Sequence, residues 1–225
     1  MRRFPVDQLP PGASKVEVTG EAAHHLLRVV GVAPGEAVEL YTSGGLAVLA
    51  RLQHARDGVA VLETDGEPRA LDRGMPERWL LLARLKGPAF DTALRMATEL
   101  GVTHILPVQA ERSVARGDKR PRWERVVASA VQQCGRARAP RVDGPRALTG
   151  AISAVPDGVP LFVCVPGVDC VTVVRGPAAV LIGPEGGWTP AEVEEAVAAG
   201  ARPLGLGSWV LRADTAAAAA MARLG

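Results

Sequence analysis

Residues 181–196 read LIGPEGGWTPAEVEEA. Three glycines, one proline and a single carboxylate, Glu185, follow an apolar run and precede a helix start. A strand, a tight backbone and a helix N-terminus together form a common ligand-binding corner. The loop lacks the Gly-Lys-Ser/Thr of a triphosphate loop and the spacing of a GxGxxG dinucleotide fingerprint. A plain βα connection without a ligand is the alternative. Thr189 suits the cap, Pro190 the first helical position, and Glu192 completes a capping box with Thr189. A second glycine-bearing stretch, LGLGSWVLR (204–212), follows another short strand. Glycine lets a ligand approach the main chain closely. Two such loops, with neither a lysine for triphosphate nor an acidic ribose partner, favour a nucleoside-sized ligand read by backbone groups.

Charged residues near these loops carry the remaining chemistry. Glu185 holds its loop through backbone N–H groups or touches the ligand, with the structural role first. Arg212 and Asp214 open the last helix. The carboxylate suits the helix dipole there and the guanidinium does not, which points to a functional reason for Arg212. Gln132, Gln133, Gly135 and Arg136 mark a helix end in a basic zone, where a C-cap is the alternative. No Ser-His-Asp or Cys-His pattern stands out, and His104 reads as a packed strand residue. Cys134, Cys164 and Cys170 form no CxxC pair and lie far in sequence from His24, His25, His54 and His104. This spacing predicts neither a disulfide framework nor a metal site, and a reducing cytoplasm fits the usage.

The elements that must position these residues fall into two stretches. Residues 1–70 read as short strands (15–19, 37–42, 46–52, 59–64) with one helix over 21–30, the pattern of a small barrel. Residues 65–78, rich in Pro and Gly, read as a linker. From 78 onward, strands at 78–85, 103–108, 161–165 and 178–182, and a strand and loop at 201–207, alternate with helices at 90–101, 122–135, 190–200 and 212–224. That alternation predicts a parallel α/β sheet with ligands at the strands' carboxyl ends. Apolar runs without period-two alternation fit strands covered on both faces. Ala216–Ala220 reads as a tightly packed helix.

The chain has 225 residues, 48% of them hydrophobic, enough for a full core. No stretch reaches the length of a membrane span, and no apolar segment follows the charged N-terminus as in a signal peptide. The net charge of +2 is unevenly placed: −3 over residues 1–72, +8 over 73–150 and −3 over 151–225. Arginine dominates the basic stretches 111–127 and 135–146. Its planar fork suits phosphate, so RNA is the expected partner, with a solvated basic face as the alternative.

Five segments in order carry a resemblance: MRRFPV at the start, ATELGV with AERS after it, QQCGRARAP, LIGPEGGWTPAE, and LGLGSWVLRADTAAAAA. The chain resembles the SPOUT methyltransferases, and more narrowly the ribosomal small subunit methyltransferase E family. The resemblance implies a PUA-like β-barrel over residues 1–70 that binds RNA. It implies a methyltransferase domain over 75–225, an α/β fold with a C-terminal trefoil knot. It implies a homodimer that binds S-adenosylmethionine without metal and methylates N3 of a uridine in 16S rRNA, within the small ribosomal subunit. The cofactor would be held first by Leu106 and Pro107. The second loop supplies Ile182, Gly183, Pro184, Glu185, Gly186 and Gly187. The third supplies Leu204, Gly205, Leu206, Gly207, Val210, Leu211 and Arg212, followed by Thr215 and Ala216. Arg212, Asp214 and Arg136 would serve catalysis. Arg2, Arg3, Arg112, Arg136 and Arg138 would hold RNA.

The chain departs from the family where Gln132 replaces Glu, Met96 replaces Lys, and Arg212-Ala213-Asp214-Thr215 replaces Arg-Thr-Glu-Thr. A divergent paralogue with another RNA target, and a non-catalytic RNA-binding or assembly protein, are therefore carried beside the leading reading. An ordinary dinucleotide-binding enzyme is disfavoured by the missing fingerprint.

Overall fold

The computed structural model describes residues 1–42, 44–71, 75–136, 138–168 and 175–224. The chain divides into two compact units, Met1–Gly74 with Gly135–Arg138, and Met75–Cys134 with Ala139–Gly225.

The first unit is built on a five-stranded sheet. Its strands are β1 (Arg3–Pro5), β2 (Lys15–Val18), β3 (Ala37–Tyr41), β4 (Leu46–Arg56) and β5 (Val59–Ala70), in the order β1-β3-β4-β5-β2. Only the β1–β3 pair is parallel. Among the described residues β1 and β2 do not pair, so the five strands form an open path where the sequence suggested a small barrel. The expected helix over 21–30 is two pieces: α1 (Gly20–His24), then a π-helical turn, His25–Val29. Phe4, Leu26, Leu40, Leu52 and Leu62 are buried in the core.

The expected linker is partly strand. β5 continues through residues 65–70, paired with β4 across a register shift between Ala47 and Leu49. Beyond Thr64, whose N–H donates to the Ser14 carbonyl, it has β4 as its one strand partner, because β2 pairs with residues 60–63. Pro and Gly are tolerated on such an edge, which is why local composition misled.

The second unit holds a parallel sheet of β6 (Arg78–Ala83), β7 (His104–Gln109), β8 (Arg141–Val142), β10 (Leu161–Cys164), β11 (Ala178–Ile182) and β12 (Arg202–Leu204). The order is β12-β10-β11-β6-β7-β8, with β9 (Arg146–Ala147) on the end of β7. The helices are α2 (Ala89–Glu99), α3 (Arg120–Cys134), α4 (Leu148–Ile152), α5 (Pro190–Ala198) and α6 (Ala213–Arg223). β6 and β11 are buried along their whole length. Leu80, Leu82 and Ile182 pack on one face against residues of α2, α3 and α6. Trp79, Leu81 and Leu181 pack on the other against Leu148 and Ala151 of α4 and Ala196 of α5. Two covered faces explain the unbroken apolar runs. Ala217 and Ala220 of the alanine run are fully buried against that first face, so their small size sets how closely α6 approaches.

Strand order reverses between β6 and β11. The chain leaves β6 toward β7 and β8 and leaves β11 toward β12 on the other side. Connections that part at such a point open a crevice at the strands' carboxyl ends.

Candidate functional site

The carboxyl-end residues lie level across the sheet. Ile182 pairs with Leu82, Leu82 with Pro107, and Cys164 with Leu204. Every loop that leaves this row therefore emerges at the same rim.

Three of these loops are tied together. In the loop after β11, Gly187 N–H donates to the Pro184 carbonyl at 2.8 Å, closing a tight turn. Gly187 sits at φ +70°, a conformation that suits glycine. Glu185 reaches out of the turn, and its carboxylate accepts from the main-chain N–H of Lys86, after β6, at 2.8 Å. Arg112, after β7, donates from Nη1 to the Gly186 carbonyl at 2.9 Å.

The capping box forms as the spacing predicts. Thr189 Oγ1 accepts from Glu192 N–H at 3.2 Å, and Glu192 accepts from Thr189 N–H at 2.8 Å. The other oxygen of Glu192 accepts from Glu111 N–H at 2.8 Å, so one buried carboxylate starts α5 and also fastens the loop after β7.

These loops enclose a cavity of about 640 Å³, within the range of small-molecule sites. Ile182, Gly183, Pro184, Glu185, Gly186 and Gly187 form one wall. Leu204, Leu206, Gly207, Val210 and Leu211 form the opposite wall, with Arg212, Asp214 and Ala216 at the start of α6. Gly205 is buried beside them and Thr215 is exposed, and neither lines the cavity. Leu106 and Pro107 are buried inside β7 and also lie outside the lining. Arg112, expected to hold RNA, borders the cavity.

Trp188, Trp209 and Cys164 line it too. The sequence assigned none of them a role at the site, since an isolated aromatic or thiol carries no spacing signal. A Cβ on Gly183 would lie 3.2 Å from Cδ1 and Nε1 of Trp188, so the indole occupies the space that a side chain there would need. Trp188 Nε1 is buried with no hydrogen-bond partner among the described residues. Burial pushes the Cys164 thiol up to about 12. It is a neutral wall group at physiological pH and no nucleophile.

Arg212 caps α6 with its side chain 81% exposed, and its Nε lies 3.6 Å from Asp214 Oδ1. That oxygen also accepts from Thr215 N–H at 2.9 Å, so the largely buried Asp214 carboxylate is held from two sides.

The other predicted cations lie in the first unit. Arg3 and Arg69 each pair with the buried Glu39 carboxylate at 2.5 Å. Arg3 also lies over the Tyr41 ring and donates to the Gly135 carbonyl. Arg2 pairs with Glu36 at 3.0 Å. Arg138 donates to the Gly44 carbonyl at 3.2 Å, and Arg136 belongs to the same Gly135–Arg138 segment. Much of the basic stretch is internally paired as well. Arg122 meets Asp91 at 2.6 Å, Arg120 meets Asp118 at 3.0 Å and Arg141 meets Asp143 at 3.1 Å.

Among the described residues no group of His, Cys, Asp and Glu is placed to hold a metal ion, and no helix is long and apolar enough to cross a membrane. Cys170 lies outside the described residues, so the expectation about disulfides rests on Cys134 and Cys164, both free thiols.

Residues 74–225 match the family model described as an RNA methyltransferase domain. The chain is 33% identical over 242 residues to the ribosomal RNA small subunit methyltransferase E of Mycobacterium tuberculosis, covering 99% of this chain and 90% of that protein. It is 32% identical over 228 residues to the Synechocystis protein of the same name, covering 93% and 72%. The crystal structure of a ribosomal RNA small subunit methyltransferase E from Neisseria gonorrhoeae bound to S-adenosyl methionine superposes with a TM-score of 0.79, at 31% identity, covering 99% of this chain and 95% of that one. A glycine-walled cavity at a strand-order reversal, a family model that spans the second unit and relatives matched nearly end to end lead to one conclusion: the chain belongs to the RNA methyltransferases, in the ribosomal RNA small subunit methyltransferase E family.

Proposed function

We propose that the protein transfers a methyl group from S-adenosylmethionine to N3 of a uridine in 16S rRNA of the small ribosomal subunit. The observation that carries this reading is the cavity of about 640 Å³ between two glycine-bearing loops. The residues fit the cofactor. Gly183 leaves the main chain bare beneath the Trp188 ring, and the buried Trp188 Nε1 marks a polar point on an otherwise mostly apolar wall. Residues 182–187, 204–207, 210 and 211 would hold it, with Leu106 and Pro107 supporting the sheet behind. Bound there, S-adenosylmethionine supplies an electrophilic methyl group on a sulfonium.

The chain's own residues align the reactants and manage charge. Orientation alone contributes at most about 7–11 kcal/mol. Uridine N3 must lose its proton, and Asp214, fixed by Arg212 and Thr215, is the acceptor at the rim. Arg212 offsets the negative charge that develops on the base. Arg136 is kept in this reading as a further substrate-side cation. Arg2, Arg112 and Arg138 contact phosphate, while Arg3 is committed to Glu39 and shapes the first unit.

The same reading takes the first unit as a PUA-like RNA-binding domain and residues 75–225 as a trefoil-knotted methyltransferase domain. The path of α6 supports the knot: β12 lies at the sheet edge, yet α6 returns to pack with α2 over the central strands. Two copies of the chain form the working enzyme, and it acts in the cytoplasm, where ribosomes are built.

The test is mass spectrometry of nucleosides from small subunits of a strain lacking this protein, before and after incubation with the purified protein and S-adenosylmethionine. The expected result is one 3-methyluridine gained in 16S rRNA. Methylation of another nucleotide indicates a changed target, and no methylation on any RNA indicates a binding or assembly role.

A further inference from the structure

We infer that Trp209 is a stacking platform that holds a nucleobase of the RNA over the cavity mouth, an inference that rests on the RNA-methyltransferase reading above. Trp209 is 85% exposed and Val210 is 81% exposed, although both line the cavity. An indole in water is costly unless something covers it, since apolar burial is worth about 25 cal/mol per Å². The surroundings point to what covers it. Arg212, 81% exposed, and Arg112, also exposed, border the same cavity, so the mouth pairs a planar apolar ring with cations. That combination matches a nucleotide, whose base offers a π-face and whose backbone offers phosphate.

A second copy of the chain fits this spot less well. Along this loop the two exposed apolar residues lie between Gly207–Ser208 and Leu211–Arg212. A stable protein interface needs about 800 Å² from each partner, with a core poor in charge. The methyl donor fits less well too, since a ring sandwiched over it inside the cavity would lose far more of its surface to the cavity walls.

The target uridine must leave its stack to reach the donor, and an aromatic face at the mouth replaces the stacking it loses. Trp209 is thus a positioning residue for the RNA. It acts on the base's approach and leaves donor binding unchanged.

The test compares wild type with Trp209→Ala, Trp209→Phe and Trp209→Leu. It uses small subunits lacking the modification, with S-adenosylmethionine calorimetry and light scattering on each variant. Stacking of this kind predicts a loss of about 5- to 150-fold in kcat/KM for the subunit in the Ala variant. Phe restores most of it and Leu does not, because Leu is apolar without being planar. S-adenosylmethionine affinity and molar mass stay unchanged in all three. Equal activity in the Phe and Leu variants overturns the inference, as does an Ala variant as active as wild type. A matched loss of donor affinity places the ring on the donor, and a change in molar mass places it at a contact between copies; either result also overturns it. A wild-type protein that methylates no RNA refutes the proposed function itself, a failure separable from the variant comparison.

Discussion

Glu185 and Lys86 lie 99 residues apart in the chain, and the carboxylate of one accepts the main-chain N–H of the other at 2.8 Å. The bond bridges the carboxyl ends of β6 and β11, the point at which strand order reverses. It fixes the loop that walls the cavity. Truncation to alanine frees the loop, and a hydrogen bond at this exposed position is worth about 1 kcal/mol. We expect Glu185→Ala to weaken S-adenosylmethionine binding about fivefold and Glu185→Gln, which keeps an acceptor oxygen, to bind as wild type. Equal affinities for all three proteins would place the loop's rigidity elsewhere.

Arg212 and Asp214 act at the rim on the substrate side. Removal of one group that stabilises developing charge typically lowers kcat by about 10²–10³. Arg212→Ala should show a fall of that order at saturating RNA, with donor affinity within about threefold of wild type. Unchanged turnover removes Arg212 from the chemistry.

Arg84 is a buried cation outside the cavity. Its guanidinium lies over the rings of Trp123 at 4.8 Å and Phe90 at 5.8 Å and donates to the carbonyls of Gly117 at 2.5 Å and Arg116 at 3.2 Å. Burial lowers its pKa and the nearby Asp118 opposes that shift. The side chain clamps the basic loop before α3. Arg84→Met leaves two carbonyls without their donor, and the loop should open to trypsin after Arg116 and Lys119 at least about tenfold faster, since a hydrogen bond to a charged group is worth about 1.5–3 kcal/mol. Lysine lacks the planar fork and should not restore protection. Unchanged cleavage would show that the loop is held without Arg84.

Cys164 gives a pH signature. Burial raises its thiol from the ordinary 9.0 to about 12. Between those values the folded chain keeps a proton that the unfolded chain has released, so this group's contribution to stability is full below pH 9 and falls as pH rises toward 12. At pH 8, peptide mapping after iodoacetamide should find the exposed Cys134 alkylated and Cys164 intact. Rapid labelling of Cys164 in folded protein would contradict the packing of that wall.

The layered α/β unit was legible because its strands announce themselves locally. Residues 79–83 and 178–182 are unbroken apolar runs, as strands with two covered faces must be, and α5 carries its capping box in four letters. The β5 extension was hidden, because a long edge strand that tolerates Gly66 and Pro68 has the composition of a linker. The cavity's composition was legible at the glycines, whose spacing is local. Its assembly was not. The second oxygen of Glu192 on Glu111, the reach of Glu185 to Lys86 and the grip of Arg112 on Gly186 join residues 74 to 99 positions apart. No local period encodes such partners. Trp188 and Trp209 were silent for another reason: one lies against Gly183 and the other in water, and both environments arise only once the chain has folded.

The most direct test of the central claim, that bare main chain at residues 183–187, 204–207, 210 and 211 closes around S-adenosylmethionine, is a calorimetric titration of wild type and Gly183→Val, with circular dichroism to confirm folding. A Cβ at 183 would lie 3.2 Å from the Trp188 ring, so a valine there requires the ring or the loop to shift. The account predicts one donor bound per chain by wild type and at least about a 30-fold loss in the folded variant, roughly 2 kcal/mol. A folded Gly183→Val protein that binds the donor as tightly as wild type, or a wild type that binds none, would contradict it.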